Sequence, residues 1–242
     1  MKRMIFLMMV ACASETRAQL FDTSAAQAEL VATLMGTGRV FVANVTVKRE
    51  RGGKQVRIAE NVMYMRDGDL RLEHRPADEP ALAKAVEKLK RENLAEVVTV
   101  LLPRANKAYL ILPGRRACFE AAAERGVAPR RESKFLRTEQ IGNHLCTVRT
   151  VTFVGEDDSR QQITVWEATD MDGFILKSQM DRGDDTHEVL YFSNIRTERP
   201  DDTKFSVPAG YRRLKGEAAG AIVEAMMQFD LERDAAVAEL LR

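Results

Sequence analysis

Between Arg39 and Arg196 apolar and polar positions alternate for most of the length, and turn signals cut the alternation into pieces of strand length. Arg39–Lys48 is Val-rich. A polar turn at Arg49–Lys54 contains Gly52-Gly53. Gln55–Arg66 follows, with Val56, Ile58, Val62 and Tyr64 expected on one face. Asp67-Gly68 is a two-residue hairpin signal that needs positive φ. Asp69–His74 returns, with Leu70 and Leu72 facing one way and Arg71 and Glu73 the other. Strands joined in sequence by short turns predict an antiparallel meander.

The period then changes. Pro76 to Asn93 predicts a helix inserted into the meander, with Pro80 near its start and Leu82, Val86 and Leu89 as its apolar stripe. Lys84, Glu87, Lys88, Lys90, Arg91 and Glu92 form a solvated face. Val97–Leu102 is an unbroken apolar run, the pattern of a strand covered on both sides. Lys107–Leu112 pairs back after a turn at Pro103–Asn106. Ala117–Arg125 reads as a short helix and Gly126–Arg131 as a polar loop.

A second β-run follows the Gly142-Asn143 turn. Its segments are Thr147–Val154, Gln161–Thr169 with the single tryptophan Trp166, Phe174–Asp181 and Thr186–Arg196. It closes on Phe205-Ser206-Val207-Pro208-Ala209-Gly210-Tyr211. About ten short strands predict a mainly β (α+β) fold. The expected form is one large curled antiparallel sheet, or incomplete barrel, with helices on its concave side. Gly216 to Arg242 predicts a C-terminal helix with Ile222, Met226, Phe229, Ala236 and Leu240 along a stripe. An exposed stripe of that kind is an aggregation liability, so docking or self-association is expected.

The N-terminus has a different grammar. Lys2 and Arg3 precede a ten-residue apolar core, Met4–Ala13, and Thr16-Arg17-Ala18 offers a small residue for cleavage. That order is a secretory signal, and the core is too short to span a bilayer. Cleavage after Ala18 divides the chain into a signal peptide (1–18), a sheet domain (19–214) and the C-terminal helix (215–242). Val10-Ala11-Cys12 also resembles the end of a lipobox, which makes Cys12 a candidate for lipidation. Either route sends the protein to the periplasm, with outer-membrane anchoring if Cys12 is lipidated. Asp22, Thr23 and Ser24 would cap a first helix running to Met35.

Export changes the meaning of the cysteines. Cys118 and Cys146 are the two that remain after Ala18, and an oxidising compartment favours their pairing. The closed loop of about 29 residues would contribute roughly 3–4 kcal/mol. Two separate buried thiols are the alternative.

Composition adds exclusions. The 242-residue chain is 45% hydrophobic and 30% charged, with a net charge of +1. No basic excess supports nucleic-acid binding, and no run is long enough for a transmembrane helix. His74, His144 and His187 lack metal-ligand spacing, no GxSxG elbow or phosphate-binding loop occurs, and the Asp157-Asp158, Asp184-Asp185 and Asp201-Asp202 pairs fall in turns. No cofactor, metal or catalytic residue is indicated.

The meander, the inserted helix, the turn Gly142-Asn143-His144-Leu145-Cys146 and the ending Phe205 to Tyr211 together resemble the periplasmic lipoprotein-carrier (LolA/LolB-like) superfamily, in its uncharacterised exported branch. The likeness covers about Arg39 to Leu214. It implies an incomplete barrel, helices as a lid, and a hydrophobic cavity for a lipid or lipoprotein acyl chain. Candidate lining residues are Val62, Tyr64, Leu70, Leu72, Leu82, Val86, Leu89, Val98, Val100 and Trp166. A filled concavity, serving an envelope protein partner or stress sensing, is the alternative.

Overall fold

The computed structural model describes residues 33–36, 38–122, 130–155, 160–215 and 217–242, without the side chains of 217–219 and 223. The signal segment, Cys12 and most of the first helix lie outside these residues; 33–35 of that helix are helical.

Twelve strands form one sheet: β1 Phe41–Arg51, β2 Lys54–Arg66, β3 Asp69–His74, β4 Val97–Leu102, β5 Lys107–Leu112, β6 Ala117–Ala121, β7 Arg130–Ile141, β8 His144–Val154, β9 Arg160–Ala168, β10 Phe174–Gly183, β11 Thr186–Arg196 and β12 Arg212–Arg213. Their spatial order is β12-β6-β5-β4-β3-β2-β1-β11-β10-β9-β8-β7. Two meanders therefore meet at the β1–β11 ladder, and the sheet curls without closing. Every pairing is antiparallel except β12 with β6.

The tight turns follow the sequence signals. Gly52-Gly53, at φ 55° and 81°, joins β1 to β2, and Asp67-Gly68, at 51° and 92°, joins β2 to β3. These are positive-φ positions that glycine and aspartate tolerate. One irregularity changes which residues are buried. Val47 pairs with Ala59 but Lys48 pairs with Arg57, so Ile58 is an extra residue in β2. A bulge of this kind flips the facing pattern. Before it Val56 and Ile58 are buried; after it Asn61, Met63 and Met65 are. Val62 and Tyr64 thus face away from the methionine side, which corrects the single-face expectation for Gln55–Arg66.

Two further strands differ from expectation. Ala117–Ala121 is β6, not a helix. Its Ala-rich composition favours a helix locally, yet Ala117, Cys118 and Phe119 are buried by pairing with β5. Tertiary pairing overrides the weak local preference. β7 is charged on both faces because neither is buried, and among the described residues β8 is its one strand neighbour.

The expected disulfide is absent: Cys118 and Cys146 are both free and buried. They sit on β6 and β8, with eight strands of the sheet order between them, and in separate core clusters. A disulfide needs Cα atoms within about 7 Å.

Helices α1 (Ala83–Arg91) and α2 (Glu217–Leu240) pack on one face of the sheet. α1 follows a single turn at Pro80–Leu82, where proline occupies a position that has no helical N–H to donate. Its Ala85 and Leu89 cluster with Leu94, Val97, Leu110, Leu112, Phe119, Ile222 and Phe229. The far end of α2 closes over Val56, Ile58 and Leu82 through Val237 and Leu241. The C-terminal helix therefore docks. Its buried stripe ends at Val237 and Leu241, while Leu240 is exposed.

The closing signature straps the opposite face. Phe205 is buried against Val98, Val100, Tyr109, Ile111 and Cys118, with Tyr64, Val207 and Tyr211 alongside. Arg66 stacks over the Phe205 ring at 4.3 Å. Gly210 turns at φ 79°, and the Tyr211 N–H bonds the Pro208 carbonyl at 3.4 Å. The chain then joins β6, where the Leu214 N–H bonds the Cys118 carbonyl at 2.9 Å.

Candidate functional site

The face under the helices is filled at one end and hollow at the other. A large core fills the side nearest β8–β11, where Phe41, Phe174 and Phe192 meet edge to face and Trp166 is buried. Toward α1 and α2 lies a cavity of about 980 Å³, bounded by β1–β5, β10, β11, the segment after α1, and α2. That volume is at the upper end of the roughly 300–1,000 Å³ typical of small-molecule sites.

One wall is apolar. Leu89 and Leu94 come from α1 and its exit, Val97 and Leu110 from β4 and β5, and Met226, Met227 and Phe229 from α2. Alternation places them: Thr99 pairs with Leu110 and His74 with Val97, so these side chains share the face that the helices cover.

The other wall is charged. Glu188 is buried, and Arg182 reaches it at 2.8 Å and Arg49 at 3.4 Å. Arg49 also meets Asp234 of α2 at 2.9 Å, and Arg233 pairs with Asp230 at 2.7 Å and Asp234 at 3.0 Å. Burial pushes the Asp230 carboxyl above its ordinary value, and Arg233 works against that rise. The network ties α2 to the middle of the sheet. The buried Arg49 Nε has no hydrogen-bond partner among the described residues.

His74 stands between the walls, with its Nε2 3.3 Å from the Thr99 hydroxyl. Burial lowers its pKa to about 4, so it is neutral at physiological pH. His144 lies far off, at the β7–β8 turn, with its Nδ1 2.8 Å from Asp170 Oδ2 on the surface. Among the described residues no group of three metal-ligating side chains occurs.

Of the candidate lining residues, Leu89 lies on the cavity wall. Leu82 is fully buried beneath Val237 and Leu241, and Val86 packs between the two helix clusters. Leu70 and Leu72 belong to the large core, as does Trp166, whose ring carries Lys177 Nζ at 4.3 Å. Val98, Val100 and Tyr64 lie on the opposite face under Phe205, and Val62 shares that face with Tyr64 by alternation along β2. Arg49, Glu188, Leu94 and Leu110 went unrecognised as lining in the sequence, and Met226 and Phe229 were expected on a docking stripe but not on a cavity wall. The available signal was the mixed helical stripe Met226, Phe229, Asp230, Arg233, Asp234 and Val237, at steps of three and four.

No family model and no curated protein matches the chain. Among solved structures it is similar to a LolA superfamily protein of Nitrosomonas europaea, at 10% identity over 81% of this chain and 98% of that one, with a TM-score of 0.34. It is similar to MucB at 14% identity over 79% of this chain and 66% of that one, with a TM-score of 0.41. The Mycobacterium tuberculosis lipoprotein LppX matches at 14% identity over 74% and 96%, with a TM-score of 0.36.

Proposed function

We propose that this chain is an exported, non-enzymatic binding protein that buries the apolar chain of a lipid or lipoprotein in the cavity between the sheet and helices α1 and α2. One observation carries the reading: a cavity of about 980 Å³ has a continuous apolar wall of Leu89, Leu94, Val97, Leu110, Met226 and Phe229. Each methylene buried there contributes about 0.8 kcal/mol, so a chain of a dozen carbons gains roughly 10 kcal/mol before ordering costs. Binding of that strength needs no reacting group.

The secretory pattern of residues 1–18 supports the periplasm as the site of action, and lipidation at Cys12 would add an outer-membrane anchor. Among the described residues no helix is long and apolar enough to cross a membrane. The α1 segment Pro80–Asn93 and helix α2 form the movable cover in this reading, because both meet the sheet mainly through side chains.

A second reading, docking of another envelope protein, is favoured by β7. Its outer edge has no strand partner among the described residues over Arg130–Ile141, and Phe135, Leu136 and Leu145 are exposed beside it.

Native mass spectrometry of protein purified without detergent tests the carrier reading. Adducts of lipid mass that exchange with added lipid are expected. A protein that neither retains nor takes up lipid contradicts it.

A further inference from the structure

The charged groups of the cavity are unevenly neutralised, and the exception lies at one end. Arg49 and Arg182 share Glu188, Arg49 and Arg233 share Asp234, and Arg75 pairs with Glu96 at 2.8 Å. Arg51 and Lys54, which flank the Gly52-Gly53 turn, have no side-chain ion pair among the described residues. These two cations line a second cavity of about 350 Å³ with Gly52, Leu241 and a third cation, Arg242, and no acidic side chain. Arg51 and Leu241 also line the large cavity, so the two spaces adjoin at those residues. A side chain added at Gly52 would meet nothing within 4 Å, which leaves the turn open to a ligand.

The apolar wall and this cationic end together describe an amphiphile. We propose that the ligand carries an anionic head, a carboxylate or phosphate, held between Arg51 and Lys54 at the β1–β2 turn, while its chain runs inward past Leu241 toward Phe229 and Leu110. The inference rests on the carrier reading above and specifies the ligand class for it. Two cations flanking a two-residue hairpin turn meet an anion without first releasing a partner, unlike Arg49 or Arg182, which would have to leave Glu188. Thr186 pairs with Arg51 in the β1–β11 ladder, so the neighbouring β10–β11 turn brings Asp184 to the large cavity's wall. That carboxylate repels an anion and so directs the head to the Gly52 side.

Competition on the intact mature protein tests this. A neutral apolar fluorophore, N-phenyl-1-naphthylamine, is bound and then displaced by twelve-carbon amphiphiles kept below micelle formation: dodecanoate, dodecyl phosphate, dodecyl maltoside and dodecyltrimethylammonium. Both anions are expected to displace it at concentrations at least about tenfold below the cation, with the neutral head between, and salt raised from about 0.05 to about 0.5 M should narrow the gap. The double variant Arg51→Gln, Lys54→Gln should reduce the preference to less than about threefold. Equal displacement by all heads, a preference for the cation, or an anion preference that survives in the double variant overturns the proposal and leaves the carrier reading standing. A protein that binds neither fluorophore nor amphiphile overturns the carrier reading itself.

Discussion

Arg49 and Glu188 are partners across the β1–β11 ladder, and their side chains meet at 3.4 Å in the wall of the cavity. The ladder in which they sit joins the two meanders, so the pair marks the seam of the sheet. Asp234 of α2 reaches the same arginine at 2.9 Å, which makes the seam the place where the cover is held down.

That geometry sets a stability difference between neighbours. Glu188→Ala leaves the buried Arg49 guanidinium with Asp234 as its remaining ion-pair partner and is expected to cost about 3 kcal/mol by chemical denaturation. Arg182 is 41% exposed on its side chain, so Arg182→Ala should cost at most about 1 kcal/mol. Equal losses in the two variants would contradict the buried, shared role of Glu188.

His74 makes stability depend on pH. Its pKa falls from 6.5 in the unfolded chain to about 4 here. Between those values the unfolded state binds the extra proton, so acid favours unfolding. The contribution is zero above pH 6.5 and grows as pH drops toward 4, to at most about 3 kcal/mol, less the relief from water in the cavity. His74→Phe should flatten the stability profile across that window. A variant with the wild-type slope would show that other groups govern it.

Gly114 is a packing constraint outside the cavity. A Cβ there would stand 2.7 Å from the Asn93 carbonyl oxygen, and Asn93 is itself held at φ 55° in the turn after α1. Gly114→Ala should cost about 1–3 kcal/mol, because backbone rather than a flexible side chain must give way. Gly38 has open space around it, so Gly38→Ala should stay within about 0.5 kcal/mol. Thermal unfolding of the two variants checks the pair.

The parts legible in the sequence are those with a strong local cause. Gly52-Gly53 and Asp67-Gly68 announced their turns because positive φ selects those residues. Leu82, Val86 and Leu89 announced α1 by spacing. Residues governed by distant partners stayed hidden. Ala117–Ala121 looked helical because its partner β5 is not local information. Arg130–Ile141 had no alternation because neither face of β7 is buried. The cavity was the least legible part. Its lining comes from seven strands and two helical segments, and its charged wall reads residue by residue as solvated surface. Ile58, the extra residue in β2, moved Val62 and Tyr64 to the wrong side for a lining role.

The central claim is that the hollow beside α2 holds an apolar chain. Ala95 lies on its wall and is partly exposed there, so Ala95→Trp fills the space without breaking an ion pair. Native mass spectrometry of this variant beside the wild type, after both are incubated with the same lipid, is the direct measurement. The account predicts lipid-bound wild type and at least about a tenfold loss of bound species in the variant, with unchanged circular dichroism. Equal lipid loading of the two proteins would contradict it.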